Sequence, residues 1–313
     1  MASYILKRLM STIPTLFGIL TIVFVMIRIA PGDPALAILG DNASQEALDA
    51  FRERMGLNDP MIVQYWDFLK DLASGSLGVS MVTGKPVADS VASVLPFTLE
   101  LAFGAIFFGI IIGVPIGIIS AIWRNGWLDY FFRVVSLLGL SFPAFLTAIL
   151  LILWLSIEWR IFPVISTPTG GGLWDRIYNL ILPALSLGII MVAYIMRSAR
   201  SAMLDVMGED YIRTARAKGA PGRRLIWHHA LRNALIPIVT VVGLYFGLLI
   251  GNAVLTEIIF NRPGLGKLIV LSLNQRDYTT LQGLMIVSAL MIVIVNLLTD
   301  LCYALVDPRV KLK

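Results

Sequence analysis

Few residues in this chain have the types and spacing that catalysis needs. The two histidines, His228 and His229, are adjacent. On a helix neighbouring side chains point about 100° apart, so they do not form the i, i+4 pair that holds zinc in an HExxH helix. They also lie in a basic segment with no serine–histidine–aspartate arrangement around them. Gly264-Leu265-Gly266-Lys267 lacks the spacing and the Ser or Thr of a GxxxxGK[ST] phosphate loop. The one cysteine, Cys302, excludes an intramolecular disulfide and reads as a packing residue. Glu100, Arg133 and Asp300 fall near the ends of apolar stretches, where long side chains reach the interface. Asn252 and Asn296 are the more central polar groups, suited to hydrogen bonds between helices. No mid-bilayer acid is available to relay protons. If the protein moves solute uphill, its energy comes from another subunit. The expectation is a non-catalytic chain with no metal and no cofactor of its own.

The elements that hold these residues are membrane helices. Hydrophobic residues make up 58% of the 313, charged residues only 14%, and mean hydropathy is +0.83. A soluble domain carries about 25% charged residues. A bilayer core of about 30 Å takes roughly 20 apolar residues per helix. Six stretches meet or approach that length, at 9–29, 98–121, 134–157, 179–196, 234–256 and 280–303, the fourth being the shortest. The fold class is therefore an all-α polytopic membrane protein with about six transmembrane helices. Lys7 and Arg8 precede the first run, which is long and lacks a small-residue cleavage site, so it reads as a retained helix and not as a leader.

With six spans both termini share one side. That side holds 15 of the 25 Lys and Arg but only six of the 20 Asp and Glu, and basic residues in short loops mark the cytoplasm. The termini are expected to be cytoplasmic, and the pI near 9.4 is this asymmetry and not a nucleic-acid signal. The chain then divides into a first helix with its cytoplasmic end (1–30), an outer loop (31–97), a transmembrane core (98–303) that includes a cytoplasmic loop (197–233), and a tail (304–313). In the outer loop Pro31-Gly32-Asp33-Pro34 is a turn signal. Ser44 caps a helix that Gly56 ends. Asp59-Pro60 starts a second helix, with Ile62, Tyr65, Trp66, Leu69 and Leu72 at helical spacing.

Gly109, Gly113 and Gly117 line one face of the second span, and Gly243, Gly247 and Gly251 one face of the fifth. Such faces let backbones approach closely in lipid; they serve either ordinary packing or a sliding seam that borders a pathway. Pro115, Pro143 and Pro183 sit within spans as possible kinks.

The cytoplasmic loop is the most informative segment. Glu209 and Asp210 suit the positive end of a helix over 211–218, Gly219 caps its far end, and Pro221 stops it. Tyr211, Ile212, Ala215 and Ala217 offer contact surface; Arg213, Arg216 and Lys218 offer polar edges. A short helix of this kind docks into a groove on a partner protein or attaches to anionic lipid.

The stretch Asp210-Tyr211-Ile212-Arg213-Thr214-Ala215-Arg216-Ala217-Lys218-Gly219, followed by His229-Ala230-Leu231-Arg232-Asn233-Ala234-Leu235-Ile236-Pro237, resembles the coupling loop of ABC importer permeases, with Thr214-Ala215-Arg216 in place of EAA and Leu231-Arg232 in place of Leu-Pro. Further motifs place the resemblance in the dipeptide/oligopeptide/nickel branch, in the subunit with the large first outer loop. They are Pro31-Gly32-Asp33-Pro34, Leu77-Gly78-Val79-Ser80, Glu257-Ile258-Ile259-Phe260, Pro263-Gly264-Leu265-Gly266, Arg276-Asp277-Tyr278 and Asp307-Pro308-Arg309.

The resemblance implies a type I importer permease of the bacterial inner membrane that imports short peptides. It also implies a second similar permease, two cytoplasmic ATPases that bind ATP and Mg, and a periplasmic binding protein. Related permeases serve nickel complexes, glutathione, oligosaccharides and opines. The ATPase-coupling residues it implies are Asp210, Tyr211, Arg213, Thr214, Ala215, Arg216, Lys218 and Gly219. Gly109, Gly113, Gly117, Gly243, Gly247, Gly251 and Asn252 are the packing or pathway candidates. The competing class is a self-contained secondary carrier or channel.

Overall fold

The computed structural model describes residues 2–29, 32–40, 42–165 and 172–306, with the side chains of 2–9, 11, 37 and 300–306 left undescribed. Pro31, Asp307, Pro308, Arg309 and most of the 304–313 tail lie outside the described residues, as do the side chains of Asp300 and Cys302.

The described chain is helical. The first long helix is α1, Ala2–Ile29. Three short helices follow: α2 Pro34–Leu39, α3 Gln45–Arg54 and α4 Met61–Ala73. Next come α5 Val87–Ile122 and α6 Trp127–Ser141. α7 Ala144–Leu151 runs on as a π-helical stretch, Ile152–Glu158. α8 is Leu173–Met207, and α9 is Asp210–Ala217. A single turn, α10 Gly222–Arg224, widens into a π-helical segment, Leu225–Ala230, and continues as α11 Leu231–Ile259. α12 Leu265–Asn274 and α13 Tyr278–Val306 complete the order.

Among the described residues five helices are long and apolar enough to cross a membrane, six if the bent pair Trp127–Ser141 and Ala144–Glu158 is one broken span. That pair puts a sharp bend at Pro143, one of the kink positions expected, within the third stretch at 134–157. The two halves meet at 102°, because Phe142 is extended ahead of Pro143, whose ring cannot donate the hydrogen bond that would continue the helix. The fourth span is not short: α8 runs 35 residues, its charged ends included. α12, an apolar helix of 10 residues, was not expected.

The chain forms two compact units. The first comprises Met1–Arg8, Thr98–Arg262 and Ile294–Lys313; the second comprises Leu9–Phe97 and Pro263–Val293. In the first unit α8 packs against α6, α7 and α11. Its core joins Leu101 and Ala105 of α5, Leu187, Met191 and Ile195 of α8, and Ile238, Leu249 and Ala253 of α11. Ala105 and Ala253 are the small members of this core, and small residues let helix backbones come close.

In the second unit the 32–86 segment is built on local caps. The Asp33 carboxylate accepts from Ala35 N at 2.9 Å, with Pro34 opening α2. Ser44 Oγ accepts from Ala47 N at the start of α3, and Gly56 leaves it at φ +62°. α4 is capped by Pro60 itself, one position later than the Asp59 cap expected. Its inward face is Tyr65, Phe68, Leu69 and Leu72, while Ile62 and Trp66 are turned out. Tyr65 meets Phe24 edge to face, Phe68 stacks on Phe24, and the Tyr65 hydroxyl shares a 2.7 Å hydrogen bond with Thr21 of α1. Asp277, buried at the start of α13, accepts from Ser80 Oγ, Met81 N and Thr280 and so holds the 78–86 turn against that helix.

Arg52 grips Asp33 through Nε and Nη2. Burial pushes the Asp33 carboxyl up. The Arg52 hydrogen bonds, the Ala35 N–H and the charges of Arg52 and Arg276 more than offset this and hold it below the ordinary carboxylate range. An unfolded aspartate titrates near about 3.9. A depressed folded value contributes stability above that pH, and the contribution is lost as pH falls through the folded value. Acidification toward about pH 3 should therefore speed hydrogen exchange of the α2 and α3 amides beyond its intrinsic pH dependence. Asp33→Asn should remove the excess; an unchanged profile in that variant would refute the assignment.

Candidate functional site

The segment between α8 and α11 is built from its caps upward. α8 stops at Gly208, Glu209 is extended, and Asp210 sits in the first turn of α9, where a carboxylate complements the helix dipole. The helix ends in a Schellman motif: Ala220 N donates to Ala215 O (3.1 Å) and Gly219 N to Arg216 O (3.0 Å), with Gly219 at φ +78°. The expected helix at 211–218 thus lies one residue earlier, at 210–217.

One face of α9 is anchored. Ile212, expected to offer contact surface, is fully buried in a cluster with Ile118 and Ala121 of α5, Ala202 and Met203 of α8, and Leu225, Ala230 and Ala234 of the following helix. Ala215 is half-buried against the same cluster. Asn233 Nδ2 donates to Tyr211 Oη at 2.6 Å, a second tie from α11. The other face is free: Asp210, Arg213, Thr214, Arg216 and Lys218 are exposed, and Arg213 pairs with Asp210 at 3.3 Å. An open groove of about 490 Å³ runs between Tyr211, Thr214, Lys218, Pro221, Arg224 and His229. A short helix seated by one isoleucine, with a cationic outer face and a groove beside it, can carry a mechanical push from a docked partner into α5, α8 and α11.

Below that seat lies a feature the sequence reading missed. Asp129, fully buried in the first turn of α6, takes a bidentate grip from Arg200 of α8 through Nε and Nη2, both at 2.7 Å. Ser120 Oγ of α5 and the backbone N–H of Asn125 complete its acceptor sites. Three helices are joined by one carboxylate. A signal was available: Arg200 follows Arg197 on a helix that continues well past residue 196, and an arginine there needs a partner.

A second polar cluster sits at the opposite ends of α5, α8 and α11. Arg262 is fully buried and donates to Glu100 at 2.7 Å, and Arg176 also pairs with Glu100. Thr98 Oγ1 donates to the buried Glu257 at 2.6 Å, and Arg262 N bonds Glu257 O at 2.7 Å. Glu100 is thus held by two arginines and does not reach freely to an interface.

The glycine candidates separate. A Cβ on Gly109 would stand 2.7 Å from Met191 Cβ; on Gly113, 2.9 Å from Val192 O; on Gly117, 2.7 Å from both Ala199 Cβ and Met196 O. This face is pressed onto α8. Gly117→Ala must displace backbone and should destabilise the chain by about 1–3 kcal/mol, read as a lowered midpoint of thermal inactivation in detergent. Gly251→Ala, whose Cβ meets nothing within 4 Å, should leave that midpoint unmoved. Gly243 is packed on Thr299, Gly247 is half-buried, and Gly251 and Asn252 lie on an exposed face with Leu244, Leu248 and Leu255. Asn252 bonds its own helix at Leu248 O (2.9 Å) and, among the described residues, no other helix.

The remaining candidates form no reactive centre. His228 and His229 stand edge to face, 5.2 Å between ring centroids. Gly264, Leu265 and Gly266 are buried at the start of α12 and form no open phosphate cradle. No cluster of three metal-ligating residues occurs among the described residues.

Comparison with known proteins agrees with this arrangement. Residues 113–312 match the family model "Binding-protein-dependent transport system inner membrane component", and residues 1–102 match the N-terminal model of the same membrane components. The dipeptide transport system permease protein DppB of Alkalihalophilus pseudofirmus is 42% identical, with 99% of this chain and 100% of the relative covered. The glutathione transport system permease protein GsiC of Escherichia coli K12 is 39% identical over 100% of both chains. In fold the chain is similar to the MetNI methionine ABC transporter in inward-facing form (TM-score 0.55, 18% identity, covering 69% of this chain and 96% of that one). It is also similar to an amino acid ABC transporter crystallised with histidines (TM-score 0.53, 16% identity, 69% and 94% covered). Several apolar spans, a helix seated between two of them, the matching family model and full-length relatives named as permeases make this chain a multi-pass member of the binding-protein-dependent transport system inner membrane component family.

Proposed function

We propose that the chain is the permease subunit of an ATP-driven importer of short peptides, worked by partner ATPases through α9. The observation that carries this reading is the anchored helix with a free cationic face. Ile212 fixes α9 to three spans, while Arg213, Thr214, Arg216 and Lys218 remain available to a docking partner. Tyr211, Ala215 and Gly219 hold the helix in shape, and Asp210 starts it. Both full-length relatives are named for peptide cargo, a dipeptide and glutathione, which supports the substrate class.

The same reading places the termini, the 197–233 loop and the 304–313 tail in the cytoplasm, and the 31–97 segment outside. It assigns ATP and Mg to two cytoplasmic ATPases, delivery to a periplasmic binding protein, and the pathway to a second permease. The exposed α11 face around Gly251 and Asn252 borders that pathway.

The test is reconstitution with the partner subunits. Peptide uptake should require ATP, and Arg213→Glu with Arg216→Glu should reduce ATPase co-purification at least about tenfold, since like charges now face the partner. Gly219→Val should uncouple uptake from hydrolysis, because a β-branched residue at φ +78° reshapes the helix end. Undiminished co-purification would sink the coupling assignment. Solute accumulation by this chain alone, responding to ion gradients, would establish a secondary carrier instead.

A further inference from the structure

The second unit contains two cavities, of about 270 and 480 Å³, that share Arg28, Asp59 and Gln64 in their walls. Arg28 lies in the last turn of α1 with its guanidinium 5.5 Å from the Phe24 ring centroid. Among the described residues it makes no ion pair, and its Nε is shut from solvent without an acceptor. Gln64 spends both amide protons on the carbonyls of Asp59 (2.7 Å) and Leu57 (3.3 Å), so its Oε1 is a buried acceptor with no donor. Buried donors and acceptors are nearly always satisfied, and the exceptions call for an explanation.

The smaller cavity adds the carboxylates of Asp59 and Asp71, neither of which is ion-paired among the described residues, and apolar wall from Phe68 and Leu72. Its unmet buried atoms are thus Arg28 Nε and Gln64 Oε1, and the exposed Asp59 and Asp71 add two carboxylates to its wall. A simple anion would satisfy the first and be repelled by the last, and an amine would do the reverse. A short peptide zwitterion presents all three complements: a carboxylate, an amide N–H and an ammonium.

We infer that this cavity is a peptide-binding subsite of the permease itself. Arg28 holds the C-terminal carboxylate, Gln64 Oε1 takes a main-chain N–H, and Asp59 with Asp71 holds the N-terminal ammonium. The inference rests on the proposal that peptides are the cargo and adds a second station for them, distinct from the binding protein.

The experiment uses the permease–ATPase complex in nanodiscs, without binding protein. Alanyl-phenylalanine, its N-acetyl form and its C-terminal amide are compared by equilibrium dialysis, with uptake by the complete reconstituted importer measured in parallel. The free dipeptide should bind at least about tenfold tighter than either blocked form. Arg28→Gln should abolish discrimination against the amide, and Asp59→Asn with Asp71→Asn discrimination against the N-acetyl form. Arg28→Lys, which keeps the charge, should retain the first preference and so separates lost recognition from lost folding. Equal binding of free and blocked forms, or an Arg28→Gln complex that still discriminates, overturns the subsite. Uptake without cavity binding overturns the subsite alone; absence of both overturns the peptide reading as well.

Discussion

Arg262→Met should cost the chain about 3–5 kcal/mol, the usual penalty for removing one partner of a buried ion pair. Arg262 is fully buried, as is Glu257, and Glu100 is about one-quarter exposed in its side chain. Removing the guanidinium leaves Glu100 with Arg176 alone and strips Glu257 of the nearby positive charge. Both acids then face a site built to neutralise them. The measurement is the thermal inactivation midpoint of the detergent-solubilised complex, with membrane level as a second reading. Arg262→Lys should fall between, since an ammonium restores charge without the planar fork. Glu100→Gln should be milder than Arg262→Met, because the Glu100 side chain is only partly buried whereas that of Arg262 is fully buried. A midpoint within a degree of wild type for Arg262→Met would show that the cluster contributes nothing.

The second large effect belongs to Asp129. Asp129→Ala strands Arg200 beside Ser120 and the core of α5, α6 and α8, again at about 3–5 kcal/mol. The double variant Asp129→Ala, Arg200→Met removes the charge and keeps the methylene bulk, so it should recover most of the loss; the non-additivity is the interaction energy. Asp129→Asn should retain contact with Ser120 and lose the charge. A functional signature follows from position. Ser120 adjoins Ala121, and Arg200 lies within a turn of Ala202 and Met203, all of which seat Ile212. Loosening this pair should therefore raise ATP hydrolysed per peptide imported, even in preparations matched for folded protein. Strict additivity, with coupling unchanged, would contradict the role assigned to the pair.

Much was legible in the residues themselves. Spans are set by a local quantity, the run of apolar side chains against bilayer thickness, so their number and rough limits follow without tertiary information. The α9 helix was equally readable, because glycine at positive φ, proline and acidic first-turn residues act within a few positions of themselves. The resemblance to importer permeases rested on those same local motifs in order, and the relatives agree with it.

What the chain order could not reveal depends on partners distant in sequence. Asp129 and Arg200 are 71 residues apart, and Arg262 and Glu100 are 162 apart. Of these four only Glu100 read as a span-end residue, and only packing brought the opposite charges together. The face of α9 is a similar case. Ile212 looked as available as Tyr211 until α5 and α8 closed over it. The glycines divided for the same reason: an absent Cβ is visible in sequence, but whether another backbone fills the space is not. Sequence determined where the apolar runs lie and where the capped loop helices start and stop to within a residue or so, since those depend on neighbouring residues. The fold decided which charges are neutralised, which glycines are covered and which side of α9 stays free, because burial is a property of the assembled spans.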